Sequence, residues 1–243
     1  MKPRDSERER ASFALLRALA GREAVLVGGY AVSAYGPPRF SLDLDLVTPE
    51  KEVPGLQAIL REAGLDRVRD WAGGAAFAGR AERWSRGKEP LPLAVDLLVD
   101  GISDRVSGAS HPYAAIRRGA RRRTVRGLDP SSEARPLVAS AEVLVALKLE
   151  SARLVDLRDL AVLAGAGVDA AAVAALLRGV RRGVLEEHLD ALSSALGRRD
   201  YEDSLKGVYM LDARAFQRLA DRTRGLVLEL RAALSQPDGA LRE

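Results

Sequence analysis

Residues 25–49 read VLVGGYAVSAYGPPRFSLDLDLVTP. A short apolar run, Val25, Leu26 and Val27, ends in the pair Gly28-Gly29. A helix-compatible stretch over 29–35 follows and is broken by Gly36-Pro37-Pro38. A second apolar run over 41–47 then carries Asp43 and Asp45. Side chains two apart in a strand share a face, so both carboxylates point the same way from a strand otherwise built of Leu42, Leu44, Leu46 and Val47. Two carboxylates held together on such a strand repel each other and resist desolvation. A divalent cation relieves both, and Mg²⁺ in particular combines carboxylate oxygens with substrate phosphates. The glycines supply a complementary property, a backbone that a phosphate can approach closely and whose N–H groups attract anions. Together they predict metal-assisted chemistry on a nucleoside triphosphate (NTP).

Gly-Gly, a spacer of about a dozen residues, then Asp-apolar-Asp-apolar resembles the signature of the polymerase-β-like nucleotidyltransferase superfamily. Gly28, Gly29, Asp43, Leu44, Asp45 and Leu46 carry the match. Arg39-Phe40-Ser41 is similar to the Arg-Phe-Thr that precedes the aspartates in the abortive-infection (AbiE-type) toxin branch. Many members have serine where Gly29 stands, so here backbone alone would meet a phosphate. The resemblance implies a nucleotidyltransferase fold of the α/β (α+β) class, a mixed β-sheet flanked by helices, with a helical C-terminal region. It implies transfer of a nucleoside monophosphate to an acceptor hydroxyl with release of pyrophosphate, dependent on Mg²⁺ or Mn²⁺. The branch further implies a toxin acting on RNA such as tRNA, and a cognate antitoxin. Other branches modify antibiotic hydroxyls or proteins, and a catalytically silent module of the same fold is a further alternative.

Asp96 lies in LAVDLLV, residues 93–99, where a lone aspartate among apolar strand residues calls for a partner. The superfamily pattern has a third carboxylate on a later strand, which makes Asp96 the third metal ligand; the alternative is a strand-end carboxylate bonded to backbone. Asp100, at the strand's end before Gly101, reads as a turn residue and is the second choice for that third carboxylate. Lys148, in VLVALKLESAR, and the following DLRDL (Asp156 and Asp159) resemble the AbiE-type helix Lys-Leu-x-Ala followed by a basic residue and Asp-x-x-Asp-Leu. Ser151 offsets the alanine by one, and Val155 stands where a basic residue usually does. The resemblance gives Lys148 the triphosphate oxygens; otherwise its stem packs and its head is solvated. Asp156 suits a helix N-cap and Asp159 a structural ion pair. Tyr30, Arg39 and Ser41 flank the glycines and aspartates as nucleotide-binding candidates. His111 and His188 have no metal-ligand spacing, and Trp71 and Trp84 read as packing residues.

The 243-residue chain has no cysteine, which excludes disulfides and thiolate metal sites. No apolar run approaches the roughly 20 residues of a membrane span, and the charged start MKPRDSERERASF lacks a signal-peptide core. A cytoplasmic protein is expected. Net charge is +4, and only five of the 38 basic residues are lysine. Arg117, Arg118, Arg121, Arg122, Arg123 and Arg126 cluster. Such a cluster binds nucleic-acid phosphates or forms a solvated basic turn, and with no interleaved aromatics it gives no support to base stacking there.

Helices are expected over 5–20, from Pro54 to Gly64, and over 141–154, 156–164 and 184–196. Two more begin at the caps Asp169 and Asp212. Strands are expected over 24–27, 41–47, 65–69, 75–84 and 93–99, with a turn at Gly73-Gly74, a loop over 87–92 and short strands over 121–126 and 135–138. Residues 129–135 (DPSSEAR) divide a catalytic domain, 1–129, from a helical domain, 130–243.

Overall fold

The computed structural model describes residues 3–72, 79–87, 92–103 and 107–236. The expected Gly73-Gly74 turn and most of the loop over 87–92 lie outside them. The chain forms two compact units, Met1–Ser103 with Ser110–Ser140, and Asp104–Ala109 with Ala141–Glu243.

In the first unit, α1 (Pro3–Ala18) buries Phe13, Leu15 and Leu16. It ends before Gly21, whose φ of 104° is a left-handed turn that glycine adopts freely. β1 (Val25–Val27) leads directly into the short α2 (Gly28–Val32). β2 (Asp43–Thr48) alternates, with Leu44 and Leu46 buried on one face and Asp43 and Asp45 half-buried on the other. α3 (Val53–Glu62) starts with Pro54 in its first turn and turns Leu56 and Leu60 inward. β3 (Asp66–Ala72) and β4 (Arg80–Arg86) pair antiparallel, β4 pairs antiparallel with β5 (Leu93–Val99), and β5 runs parallel to β2.

The chain then makes a small antiparallel pair, β6 (Gly101–Ser103) with β7 (Ser110–Pro112), and a helix α4 (Tyr113–Gly119). None of these three was expected. They are too short for a periodic signal, and Asp100 at φ 62° fixes the turn into them while accepting from the Glu50 N–H at 3.0 Å. Four two-residue strands complete the unit, namely β8 (Arg121–Arg122), β9 (Val125–Arg126), β10 (Glu133–Ala134) and β11 (Leu137–Val138). Among the described residues the main sheet has seven strands in the order β3-β4-β5-β2-β1-β11-β8. It is mixed, because β2–β5 and β1–β11 are parallel and the other pairings antiparallel. Residues beyond 129 thus return to the sheet beside β1 before the helical region begins.

Glu9 fastens α1 to the turn after β9. Its buried carboxylate accepts from the N–H groups of Leu128 at 3.0 Å and Asp129 at 2.6 Å. Glu9→Ala strips two backbone donors of a charged acceptor, so a loss of about 3 kcal/mol is expected in urea unfolding. A loss under about 1 kcal/mol would mean that water replaces the carboxylate there.

The second unit is helical, with α5 (Ala141–Ser151), α6 (Leu154–Ala164), α7 (Ala170–Leu176), α8 (Arg182–Ala195), α9 (Arg199–Tyr209) and α10 (Ala213–Leu234). Asp169 caps α7 by accepting from Ala171 N–H at 2.9 Å, and Asp212 caps α10 through Ala215 N–H at 2.6 Å. Leu185, Leu189 and Leu192 form the buried stripe of α8. Asp156 is not the N-cap of α6 but its third residue. Arg153 is the cap, and its N–H donates back to Asp156 at 3.3 Å. No helix among the described residues is long and apolar enough to cross a membrane.

Candidate active site

Pairing register builds one row across four strands of the first unit. Arg83 on β4 lies opposite Asp96 on β5, Asp96 opposite Asp45 on β2, and Asp45 opposite Val27 on β1. Adjacent strands are about 4.8 Å apart, so these side chains are immediate neighbours. Asp43, two residues before Asp45, shares its face. The row runs into Gly28, which follows Val27 at φ 66°. A Cβ there would overlap the Asp45 carboxylate, and φ is unfavourable for any other L residue. Gly28 therefore lets Asp45 rest on the backbone where β1 turns into α2. At Gly29 a Cβ would collide with the Ser41 hydroxyl and the Arg39 guanidinium, so both candidate side chains lie against bare backbone. Arg39 also donates to its neighbour's carbonyl, Phe40 O, at 3.0 Å.

Sequence reasoning missed two arginines. The Arg83 guanidinium spans two carboxylates, with Nη1 3.0 Å from Asp96 Oδ2 and Nη2 3.2 Å from Asp43 Oδ1. Arg8 on α1 brings Nη2 within 4.0 Å of the same Asp43 oxygen. It is buried, sits 5.4 Å above the Phe40 ring, and its Nε and Nη1 have no hydrogen-bond partner among the described residues. Arg83 sits at an alternating position of β4, but only the β4–β5 register aims it at Asp96. Nothing local marks Arg8.

Burial pushes the Asp96 carboxyl up to about 6; Arg83 opposes that shift and Asp43 adds to it. Burial likewise pulls the Arg8 guanidinium below its ordinary value, against the nearby Tyr30 and Asp43. The Tyr30 ring is buried edge-on to Phe13 at 5.4 Å, with its phenol pushed up to about 12 mainly by burial. It is a packing residue of the unit interior. The donor set of Asp43, Asp45 and Asp96 is all hard oxygen, suited to Mg²⁺ or Mn²⁺, and Asp43 and Asp96 already share one positive group. Among the described residues no three His, Cys, Asp or Glu side chains are gathered closely enough to hold a metal in this arrangement.

Lys148 belongs to the helical unit. Its Nζ is 2.6 Å from Asp156 Oδ1 and 2.8 Å from Asp159 Oδ2, and all three side chains are buried. Tyr209 donates to Asp159 at 2.5 Å, and Ser151 and Arg153 each donate to Asp156 at 2.7 Å. Burial alone would raise Asp156, but Lys148, Arg153 and Ser151 hold it below the usual carboxylate range.

The arginine cluster is partly committed within the first unit. Arg117 pairs with Glu23 at 2.7 Å and Arg126 with Glu133 at 2.9 Å, while the Arg123 guanidinium lies 4.5 Å from the Tyr35 ring centre. Arg118, Arg121 and Arg122 are exposed. His111 and Trp84 are buried.

Two crystal structures from Helicobacter pylori resemble the chain. One is of a candidate nucleotidyltransferase, with 20% identity, 96% of each chain covered and a TM-score of 0.45. The other is of JHP933, with 19% identity, 96% of this chain and 93% of that one covered, and a TM-score of 0.45. Neither is similar enough to transfer a residue's role. No curated protein matches. The model of one family, described as nucleotidyl transferase AbiEii toxin of type IV toxin–antitoxin systems, matches residues 11–222. That span takes in the glycine pair, the three sheet aspartates and the Lys148 segment, and the chain belongs to the AbiEii family of nucleotidyltransferase toxins.

Proposed function

We propose that the protein transfers a nucleoside monophosphate from an NTP to an acceptor hydroxyl on RNA, such as a tRNA, with Mg²⁺ or Mn²⁺ held by Asp43, Asp45 and Asp96. The observation that carries this reading is the row in which Asp45 and Asp96 stand side by side on parallel strands, with Asp43 on the same face and Gly28 beneath Asp45. A bound divalent cation supplies Lewis acidity to the attacking and departing oxygens of a phosphoryl transfer. Asp45, propped on Gly28, fixes the distance between the carboxylate row and the Gly28-Gly29 backbone, whose N–H groups orient the β and γ phosphates. Asp96, the most buried of the three, turns its carboxylate to Arg83, its neighbour along the row. Arg39 and Ser41, packed over Gly29, offer donors beside that backbone. The exposed Arg118, Arg121 and Arg122 support an RNA acceptor through phosphate contacts. Membership of a type IV family supports a cognate antitoxin as partner and operation in the cytoplasm.

Lys148 is assigned to the triphosphate by resemblance. Its charge is already matched by two buried carboxylates, which supports in addition a scaffold role inside the helical unit.

The test is incubation with each α-labelled NTP, Mg²⁺ and total small RNA, beside an Asp43→Ala control, with products separated on a gel. Label in RNA that the control lacks is the expected result. Label on protein would replace the RNA acceptor with a protein one. Mg²⁺-dependent NTP binding with no transfer to any acceptor would make the chain a silent module.

A further inference from the structure

Two guanidinium groups converge on the carboxylate row, and neither has a role in the reading above. We propose that Arg8 and Arg83 are triphosphate-binding residues, and that Arg83 is an exchangeable cation which yields Asp43 and Asp96 to the metal and turns to the phosphates. The inference rests on the proposed metal-binding role of Asp43, Asp45 and Asp96.

Arg83 donates from one nitrogen to Asp96 and from another to Asp43, so it occupies the space between two of the three proposed ligands. A carboxylate oxygen engaged by a guanidinium is a poorer metal ligand, and the two cations compete for the same lone pairs. Arg83 is about one-third exposed, with its side chain at 34%, so it has room to move. Displaced from the aspartates, its planar fork matches phosphate oxygens bidentately.

Arg8 supplies the independent observation. Its side chain is only 6% exposed, yet Nε and Nη1 have no hydrogen-bond partner among the described residues. Asp43, at 4.0 Å, is beyond hydrogen-bond reach. Charged donors are rarely buried without acceptors, because the desolvation penalty is several kcal/mol per ion. The Phe40 ring at 5.4 Å compensates only part of that. These donors therefore await an anion at the Asp43 end of the row. A phosphate of the RNA backbone presents the same chemistry, but it is flanked by sugar on both sides, whereas the terminal phosphates of a nucleotide have a free end that suits a guanidinium this buried.

The experiment measures binding rather than turnover. Mn²⁺ alone is titrated by electron paramagnetic resonance, and Mn²⁺ with inorganic tripolyphosphate by calorimetry, which removes any dependence on the base. Arg83→Met should bind Mn²⁺ alone about 3- to 10-fold tighter, because a competing cation is gone. The same variant should bind Mn²⁺–tripolyphosphate at least about 10-fold more weakly, because a charge-assisted bond is lost. Arg8→Met should leave Mn²⁺ alone within about twofold, since it makes no hydrogen bond to Asp43, and weaken tripolyphosphate about 10-fold. Arg83→Lys, which keeps the charge without the fork, should fall between wild type and Arg83→Met in both and guards against a folding defect. A single-stranded RNA oligonucleotide without a 5′ phosphate serves as the backbone arm, and Arg8→Met should bind it as wild type does. Mn²⁺ affinity that is unchanged or reduced in Arg83→Met, or tripolyphosphate affinity that survives both methionine variants, would overturn the inference. A wild-type chain with no saturable Mn²⁺ site would instead overturn the carboxylate reading itself, and the inference with it.

Discussion

Asp45→Asn is expected to reduce nucleotidyl transfer by roughly 10³-fold or more while leaving the unfolding midpoint within a few degrees of wild type. Asp45 stands between Asp96 on one neighbouring strand and Val27 on the other, with its carboxylate on Gly28. The amide keeps that shape but removes one negative charge from a row of three, so packing survives and cation affinity falls. Relief of carboxylate repulsion offsets part of any lost hydrogen bonding. Gly28→Ala should produce the same loss by another route. The added methyl overlaps Asp45 and the backbone is at φ 66°, so β1, α2 and the carboxylate cannot all keep their places. Initial rates with an α-labelled NTP, beside a thermal melt, test both. Asp45→Asn with activity within tenfold of wild type would remove Asp45 from the site. Gly28→Ala with both full activity and full stability would show that the close approach is unimportant.

Lys148→Met is expected to cost about 3–5 kcal/mol, the usual consequence of removing one partner from a buried ion pair. Asp156 and Asp159 are 0% and 1% exposed, and Lys148 pairs with both, sharing with Arg153 the balance of their two negative charges. Without it Asp159 keeps the Tyr209 hydroxyl and Asp156 keeps Arg153 and Ser151, which leaves the cluster with an excess negative charge. The cluster joins α5 to α6 and, through Tyr209, to α9, so the loss falls on the packing of the helical unit. Lys148→Met combined with Asp159→Asn should recover a substantial part of the stability, because one buried charge leaves with its partner. Denaturant unfolding of the two variants measures the coupling. A single variant that costs less than about 1 kcal/mol would place Lys148 outside the stabilising network, as expected of a solvated pair.

The pH dependence has a definite sign. Asp156 is held below the usual carboxylate range, so its contribution is present above the unfolded value of about 3.9 and is lost as pH falls through the lower folded value. The helical unit should therefore weaken in strong acid, and Asp156→Asn should flatten that loss.

Local patterns were legible without the fold. The period-two spacing of Asp43 and Asp45 gave their common face, and LAVDLLV gave a strand around Asp96, because strand periodicity depends on neighbouring residues alone. Asp169 and Asp212 cap helices as their positions indicated, since capping is decided within one turn. The family resemblance was carried by the same short-range signals. Other features depended on contacts between distant segments. Tyr30 beside the glycines is an interior packing residue, because Phe13 of α1 folds against it.

What the sequence by itself determined is the chemistry available: two aspartates on one strand face, a third on another strand, a glycine pair and the family they signal. What only the tertiary structure decided is which groups meet. The β4–β5–β2 register brings Arg83, Asp96 and Asp45 into one row, α1 delivers Arg8 to Asp43 across 35 positions of sequence, and α5 and α6 close Lys148 between two carboxylates. The physical reason is range. Face and cap follow from dihedral geometry within a few residues, whereas register and burial follow from the packing of the whole unit, and these set which charges are paired and which guanidinium is left with open donors.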